Sequence, residues 1–309
     1  MRENKDLPET PIIRPPSEWR SLLIRVTRGC KWNRCRFCGI YPHLGAVDFS
    51  IRKIAEVKHD IDLLRQRCSG SFDTAFIGDA DPLQAGVEAF SEIATYLRRT
   101  FPIKRLTCYA RASTLYKLKQ DSLNRLAATG LDRVHIGLES GDDETLRFHK
   151  KGQTAAMVRQ TAIRLKKAGI EVSFYVLLGL GGRDRWREHI LKTARLINET
   201  EPEFVRIRRL WLYGENSLFD GPSCPLWHAI RTGVFIPQTP EGTVLELKLF
   251  LELLEPLATF MVCDHENNFV QVSGMVREDK EEMLAEIDGF LALPVSEREA
   301  HYQAVGGRI

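Results

Sequence analysis

Apolar and polar residues alternate along short segments of the chain, and helical patterns fall between these segments. The alternating segments predict six strands, at residues 21–27, 73–79, 105–110, 133–140, 171–179 and 203–211. A helical pattern follows the first strand, where one face carries Ile54, Val57, Ile61 and Leu64. Strands that alternate with helices are typical of βαβ units, whose strands lie parallel in one sheet. The pattern therefore predicts an α/β fold.

The two faces of these strands differ in polarity. In residues 133–140, Val134 and Ile136 share one face, and His135 and Glu139 share the other. An open sheet that helices cover on both sides would be apolar on both faces. A polar face on strand after strand instead favours a barrel with a polar interior, incomplete because only six strands are clear. The chemistry of such a barrel lies at the C-terminal ends of its strands.

Three parts of the chain have different character. Residues 1–20 contain four prolines and predict an irregular lead-in, and residues 21–211 hold the barrel pattern. Residues 212–309 predict a mostly helical extension that closes the barrel, with helices at 242–257 and 277–293. Between these helices, residues 259–274 predict a strand that runs into a loop.

Composition and charge leave the partner open. The 309 residues include 44 basic and 41 acidic side chains, so a net charge of +3 requires neither nucleic acid nor a membrane as partner. No apolar run approaches the 18 residues of a membrane span, and the first 20 residues lack the apolar stretch of a signal peptide. We therefore expect a cytoplasmic protein, whose seven cysteines are thiols or metal ligands.

Cys30, Cys35 and Cys38 stand close together in "TRGCKWNRCRFCG", with the spacing C-x4-C-x2-C. Thiolates bind zinc, copper(I) and iron–sulfur clusters. Besides a chance grouping of packing thiols, two metal sites fit the pattern. His43 would complete a four-ligand zinc site. Alternatively, three thiolates would hold a 4Fe–4S cluster and leave one iron open to a small molecule.

The cysteine segment, with Phe37 directly before its third cysteine, resembles the motif of the radical S-adenosylmethionine (SAM) enzymes. The usual spacing in that family is C-x3-C-x2-C, so this chain has one extra residue in the first gap. The resemblance implies a partial (β/α)6 TIM-type barrel and a 4Fe–4S cluster on Cys30, Cys35 and Cys38. It also implies reductive cleavage of SAM at the open iron, with an external one-electron reductant of flavodoxin or ferredoxin type.

Three later segments strengthen the resemblance: "FIGDADPL" (76–83), "GLESGDDETLRFHKKG" (137–152) and "VLLGLGG" (176–182). By their positions, the family implies Gly78 and Asp79 at the amino group of SAM and Glu139 at its ribose or methionine part. Lys151 and Arg111 are implied at the SAM carboxylate, and Gly179 in the turn behind the adenine. With Phe37, these residues form the expected SAM site.

Other polar residues suggest what the second substrate is. Arg206 and Arg208 share the polar face of the last strand, where they suit a carboxylate or phosphate. Internal salt bridges, or a basic patch for nucleic acid, would explain them equally. His265 either lines a substrate cavity or belongs to a turn. Cys224, His228, Cys263 and His265 form a weak pattern for a second metal site.

The sequence thus predicts a radical SAM enzyme that acts on an unidentified substrate, which the two arginines suggest is anionic. A small molecule is favoured over nucleic acid, because no appended RNA-binding domain is visible. The alternative is a zinc-stabilised barrel that binds a ligand or RNA without redox chemistry, with stretches such as "RIRR" (206–209) facing phosphates.

Overall fold

The structure is a computed structural model. It describes residues 7–11, 13–43, 45, 48–68, 70, 72–212 and 224–306. The strands are β1 Leu22–Arg25, β2 Thr27–Arg28, β3 Ser50–Ile51, β4 Thr74–Gly78, β5 Arg105–Tyr109, β6 Leu131–Glu139, β7 Glu171–Leu178, β8 Phe204–Arg209, β9 Phe260–Cys263 and β10 Val272–Met275. The helices are α1 Ile40–His43, α2 Ile54–Arg67, α3 Val87–Thr100, α4 Ala112–Leu115, α5 Gln120–Ala128, α6 Asp143–Phe148, α7 Ala155–Lys167, α8 Gly182–Thr200, α9 Leu226–Arg231, α10 Pro240–Leu253, α11 Val276–Leu291 and α12 Val295–Gly306.

The predicted α/β class is confirmed by a mostly parallel eight-stranded sheet. Its strand order is β1-β4-β5-β6-β7-β8-β9-β10, and all six predicted strands belong to it. The described pairings from β1 to β6 and from β7 to β9 are parallel, whereas β10 runs antiparallel to β9. Strand β2 pairs separately with β3. The predicted strand at 259–274 is therefore an antiparallel hairpin, because the chain turns back after Cys263 and pairs again from Val272.

The chain forms two compact units, each assembled from separate stretches of sequence. The first unit contains Met1–Lys31, Ala46–Ile136 and Ile163–Val172. The second contains Trp32–Gly45, Gly137–Ala162 and Ser173–Ile309. The division predicted from the sequence, with boundaries after residues 20 and 211, stays a prediction.

Each unit has an apolar core that the alternating strand pattern creates. In the first unit, Ile24 and Ile77 are buried side by side on β1 and β4, and Phe90 is buried on α3. In the second, Phe174 of β7 and Phe250 of α10 are fully buried. Burying one such side chain stabilises a fold by roughly 1.5–3 kcal/mol. Among the described helices, none combines the length and the apolar composition that crossing a bilayer requires.

The polar positions of the strands are also buried, which agrees with the predicted polar face. Thr107 and His135 of the first unit are 0% and 1% exposed. Because buried polar groups need hydrogen-bond partners, this face depends on specific pairs. His135 Nε2 lies 3.4 Å from the carboxylate of Glu18, which also accepts a hydrogen bond from the Ser21 hydroxyl. The lead-in helix at Pro16–Glu18 therefore supplies an acid to the polar face of the first unit.

Asp142 connects the start of α6 to α8 in the second unit. Its carboxylate accepts hydrogen bonds from Thr145 N at 3.0 Å, Lys192 Nζ at 2.7 Å and Arg185 Nη2 at 3.0 Å. Burial alone would raise the pKa of this carboxyl, but these donors lower it well below its usual range. Asp142 is thus both the N-cap of α6 and the acid of a charge network.

We expect Asp142→Ala to lower the free energy of unfolding by about 2–4 kcal/mol, because it removes a cap and a buried, paired charge. Asp142→Asn keeps a side chain that can cap α6 and loses only the charge, so its loss is smaller. Because the pKa of Asp142 is depressed in the folded state, its charge stabilises the fold at pH values above the unfolded-state pKa of about 4. This stabilisation is lost as acidification protonates the carboxylate. Urea unfolding at several pH values checks this. If the free energies of unfolding of the wild type and of Asp142→Asn differed more at low pH than at neutral pH, the prediction would be contradicted.

Candidate active site

The three cysteines follow β1 and β2 on one stretch of chain. Cys30 belongs to the first unit, and Cys35 and Cys38 belong to the second. The Cys38 N–H donates to the Cys35 carbonyl at 3.2 Å, which closes the Cys-x-x-Cys segment into a turn. All three cysteines are half-exposed thiols, not disulfides. Accessible thiols at short spacing are a donor set that suits an iron–sulfur cluster, so the residues present fit that group.

The peptide between Cys35 and Cys38 is tethered on both sides. The Arg36 N–H donates to the His149 carbonyl at 2.9 Å. The Arg36 carbonyl accepts two bonds of 2.8 Å, from the Cys224 Sγ–H and from the Leu226 N–H. We call the residues Trp32–Cys38 the cysteine loop. Its centre is thus held by the turn after α6 and by the start of α9.

An apolar cluster supports the same loop. Cys224, Leu226, Ala229 and Phe235 are its buried members, and Phe37 and Phe148 pack against it. The Phe37 ring meets the His149 ring edge-on with centroids 5.6 Å apart. Burial lowers the pKa of His149 to about 4, so its ring is neutral and donates from Nε2 to the Leu180 carbonyl at 2.8 Å. Phe37 therefore rests on an uncharged, fixed partner.

Glu139 and Lys151 meet beside Phe37. The Lys151 ammonium lies 2.6 Å from Glu139 Oε1 and 5.8 Å from the centroid of the Phe37 ring. Glu139 ends β6 with a φ of +64°, a left-handed conformation that costs a non-glycine residue about 1–2 kcal/mol. Its carboxylate folds over Gly137, where a Cβ atom would stand 2.2 Å from Oε1. Three predicted SAM residues are thus brought together in the second unit.

Gly179 follows β7 and is held by an acid that the sequence analysis did not identify. Its N–H donates to Glu246 Oε2 at 2.6 Å, and Glu246 Oε1 accepts from Gln238 Nε2 at 3.0 Å. Glu246 is fully buried on α10. Burial raises its pKa to about 7, against the lowering effect of these two donors. The sequence signal for Glu246 is an acidic residue that stands among the apolar positions Val244, Leu247 and Leu251.

Asp79, a predicted contact of SAM, lies in an ion-pair network of the first unit. Its Oδ2 accepts from Arg25 Nε at 2.9 Å and Nη2 at 2.6 Å. The same oxygen lies 3.3 Å from the N–H of Gly29, the residue before Cys30. Arg25 also bonds to Glu9 at 2.8 Å. Asp79 is fully buried, so its carboxylate anchors the chain that leads to the first cysteine.

Asp81, two residues later, has spare hydrogen-bonding capacity. Its Oδ2 accepts from Gln84 Nε2 at 2.9 Å and from the Thr114 hydroxyl at 2.5 Å. Its Oδ1 is buried and has no hydrogen-bond partner among the described residues. Burial raises the pKa of Asp81 to about 6, although the charge of Arg111 acts to lower it. The structure therefore brings the predicted Arg111 close to Asp81 in the first unit.

The predicted substrate residues lie at β8 and the loop after β9. Arg206 and Arg208 are half-exposed and alternate with the buried Val205 and Ile207. Within the described ranges, neither arginine forms an ion pair with a carboxylate. Burial lowers the pKa of His265, and the nearby charge of Arg208 lowers it further. Arg208 and His265 are thus neighbours.

The second metal site weighed for Cys224, His228, Cys263 and His265 is not formed. Cys224 bonds to the Arg36 carbonyl, and the Cys263 thiol lies 3.5 Å from the Val270 carbonyl. In the part of the chain that the structure describes, no three His, Cys, Asp or Glu side chains are grouped so as to hold one metal ion. Zinc needs ligands that surround a single ion. A 4Fe–4S cluster instead takes its thiolates on separate irons.

Comparisons with curated proteins show distant relatives. The chain is 29% identical over 182 residues to the 4'-phospho-dehydrooxetanocin synthase of Priestia megaterium, covering 50% of this chain and 23% of that protein. It is 22% identical over 241 residues to an uncharacterized methyltransferase of Synechocystis sp., covering 74% of this chain and 41% of that one. The chain therefore spans less than half the length of these two relatives.

Solved structures share the fold. The chain matches HydG, a maturase of the [FeFe]-hydrogenase, with a TM-score of 0.52 and 17% identity over 85% of this chain and 53% of that one. It matches Elp3 of the archaeon Methanocaldococcus infernus with a TM-score of 0.51 and 16% identity. That match covers 83% of this chain and 60% of the other. The match to the radical SAM methyltransferase TsrM of Kitasatospora setae has a TM-score of 0.51 and 18% identity. It covers 68% of this chain and 38% of that one.

The family itself is shown by the sequence. A family model of the radical SAM superfamily matches residues 24–197, which is more than half of the 309 residues. The match spans the cysteine loop and the Glu139, Lys151 and Gly179 positions. The chain belongs to the radical SAM superfamily.

Proposed function

We propose that this chain is a radical SAM enzyme that holds a 4Fe–4S cluster on Cys30, Cys35 and Cys38. The main support for this proposal is the cysteine loop. Its two thiols, Cys35 and Cys38, flank a backbone segment at Arg36 that three hydrogen bonds hold in place. A bound cluster supplies the electron that cleaves SAM to methionine and the 5′-deoxyadenosyl radical. The chain itself binds SAM, orients it and selects the second substrate.

Lys151, Glu139 and Phe37 are proposed to receive the methionine and ribose parts of SAM. Their support is proximity: an ammonium and a carboxylate are 2.6 Å apart beside a half-exposed aromatic ring. Lys151 would bind the carboxylate of SAM, while Glu139 would turn to a ribose hydroxyl. Both side chains are only about a tenth exposed and are paired in the protein alone. SAM would give Lys151 a new carboxylate partner and Glu139 a hydroxyl donor, so that each buried charge keeps a polar partner.

The turn after β4 is proposed to bind the amino group of SAM. Gly78 and Asp79 stay predicted contacts, but the Oδ2 of Asp79 already accepts three hydrogen bonds. Asp81 is the better-placed acid, because its Oδ1 is unpartnered among the described residues. Arg111 is the proposed carboxylate contact beside it. Gly179, held by Glu246, is proposed to back the adenine.

The second substrate is proposed to be a small anionic molecule in the cytoplasm. Support comes from Arg206 and Arg208, which have no carboxylate partner in the described ranges, and from the proximity of Arg208 to His265. Arginine suits carboxylate and phosphate because its planar fork donates two parallel hydrogen bonds. The electron donor is proposed to be a carrier protein of flavodoxin or ferredoxin type.

Protein prepared anaerobically should contain about four irons per chain, with matching sulfide, since a 4Fe–4S cluster is bound by three thiolates here. The EPR signal of the reduced protein should shift when SAM is added, because SAM reaches the open iron. Alanine at Cys30, Cys35 or Cys38 should abolish iron binding. Cys263→Ala, which removes a thiol outside the set, should keep it. Stoichiometric zinc without iron after anaerobic reconstitution would support the zinc-stabilised binder instead.

Lys151→Met should weaken SAM binding by about 10–100-fold at unchanged iron content, because a hydrogen bond to a charged group is worth roughly 1.5–3 kcal/mol. Anaerobic titration calorimetry with SAM on the oxidised protein measures this. Lys167→Met, at an exposed lysine on α7, is the matched control and should bind SAM normally. Equal affinities in the two variants would remove Lys151 from the SAM site.

Cys224→Ala should loosen the cysteine loop even without a cluster, because the Arg36 carbonyl loses one of its two donors. One hydrogen bond contributes about 0.5–1.5 kcal/mol, so amide hydrogen exchange at residues 35–38 should rise about 2–10-fold. Cys224→Ser keeps a donor and should restore protection. Mass spectrometry of the cluster-free protein reads this out, with Cys263→Ala as the buried-thiol control. Equal exchange in both alanine variants would show that the Cys224 bond does not hold the loop.

A further inference from the structure

The cysteine loop and the turn that holds it are both basic. Residues 31–38 include three cations and no acid, and residues 147–152 include three more and no acid. One of the six, Lys151, is paired with Glu139. Four others belong to the second unit, and we call them the basic rim: Arg34, Arg36, Arg147 and Lys150.

Contacts among the described residues connect the basic rim to the cysteine loop. The indole N–H of Trp32 donates to the Lys150 carbonyl at 2.7 Å, and the Arg34 guanidinium lies 5.4 Å from the centroid of the Trp32 ring. The Arg36 guanidinium lies 4.7 Å from the centroid of the Phe148 ring. Phe148 directly follows Arg147 in the chain. Arg34 directly precedes Cys35 in the chain and Arg36 lies between Cys35 and Cys38, the two half-exposed thiols of the second unit.

The rim carries positive charge that the described residues do not neutralise. Arg34, Arg147 and Lys150 are exposed, and no member of the rim forms an ion pair within the described ranges. The acids nearest in sequence are engaged elsewhere. Asp143 accepts a hydrogen bond from the Ala155 N–H, and Glu144 pairs with Arg185 at 2.6 Å. An uncompensated patch attracts an oppositely charged partner and accelerates its encounter.

We propose that the basic rim is the docking surface for a small acidic one-electron carrier protein of flavodoxin type. This inference rests on the proposed function, which requires an electron at the cluster. In each encounter the reduced flavin of the carrier would lose one electron and a bound, oxidised cluster would gain it, with no group transferred. Docking on the rim would bring the carrier to the residues that surround Cys35 and Cys38 in the chain.

The size of the rim favours a carrier over RNA. Binding to the nucleic-acid backbone uses one cation for each phosphate neutralised, and a protein with about 6–10 such contacts binds in a strongly salt-dependent way. The rim offers four cations, and the whole chain has a net charge of only +3. A weak redox encounter needs a small interface, below about 1,200 Å², in which a few charges set the rate of association.

The test is a charge reversal that leaves the proposed SAM residues intact. The rim variant carries Arg34→Glu, Arg147→Glu and Lys150→Glu. The control carries Lys117→Glu, Lys119→Glu and Lys167→Glu, at exposed lysines that form no ion pair within the described ranges, so the net charge changes equally. Stopped-flow spectroscopy measures cluster reduction by flavodoxin hydroquinone at several ionic strengths. Photoreduced deazaflavin, a small donor that needs no docking surface, measures whether the cluster is present and reducible.

We expect flavodoxin to reduce the rim variant at least about tenfold more slowly than wild type at low salt, with the salt dependence largely lost. Deazaflavin should reduce the rim variant, the control and the wild type to the same extent. Flavodoxin should also bind the cluster-free wild type and control more tightly than the cluster-free rim variant, measured by titration calorimetry. A variant with glutamine at the same three positions should be reduced by flavodoxin at a rate between those of the wild type and the rim variant. It replaces the rim variant if the charge reversal impairs folding.

Two results would overturn the docking surface: equal slowing in the rim variant and the control, or normal reduction of the rim variant by flavodoxin. Failure of every protein to take up iron would instead reject the proposed function. The calorimetry on cluster-free protein would still decide whether flavodoxin binds the rim, so the two failures are distinguishable.

Discussion

The backbone of Arg36 is the constraint on which the second half of the site depends. Its N–H is bonded to His149, and its carbonyl is bonded to Cys224 and Leu226. These two groups belong to the successive peptide planes on either side of the Arg36 Cα, and neither plane can rotate without breaking a hydrogen bond. Cys35 and Cys38, which flank Arg36, are thereby set in place before any ligand arrives. Preorganisation of this kind lowers the entropy that ligand binding costs.

Buried acids repeat the same principle elsewhere in the chain. Asp79 holds the backbone at Gly29, Asp142 begins α6, and Glu246 holds Gly179. Removing a carboxylate from water is costly unless donors surround it. Asp79 and Asp142 meet cations, whereas Glu246 meets only neutral donors, and burial therefore raises its pKa to about 7. Each acid lies next to a turn at a strand end, where the backbone leaves the regular ladder.

Partners from distant parts of the sequence explain why the sequence analysis assigned some residues incompletely. Cys224 was weighed as a metal ligand, but its thiol supports the cysteine loop from 188 residues away. Asp79 was assigned to SAM, and the structure shows that Arg25 engages its carboxylate. Residues 259–274 were predicted as a strand that runs into a loop, and the structure adds a second strand, β10, after that loop. A hydrogen-bond partner at long range leaves no periodic signal.

The sequence by itself determined the α/β class, the six parallel strands, the cysteine motif and the superfamily. These follow from local patterns: alternation with a period of two, helical spacing, and thiols a few residues apart. Only the tertiary structure decided which groups meet. It joined Lys151 to Glu139 beside Phe37, tied Gly179 to Glu246, and set Arg34 against Trp32 and Arg36 against Phe148. Periodicity records which face of an element is buried, whereas pairing depends on how distant elements pack together.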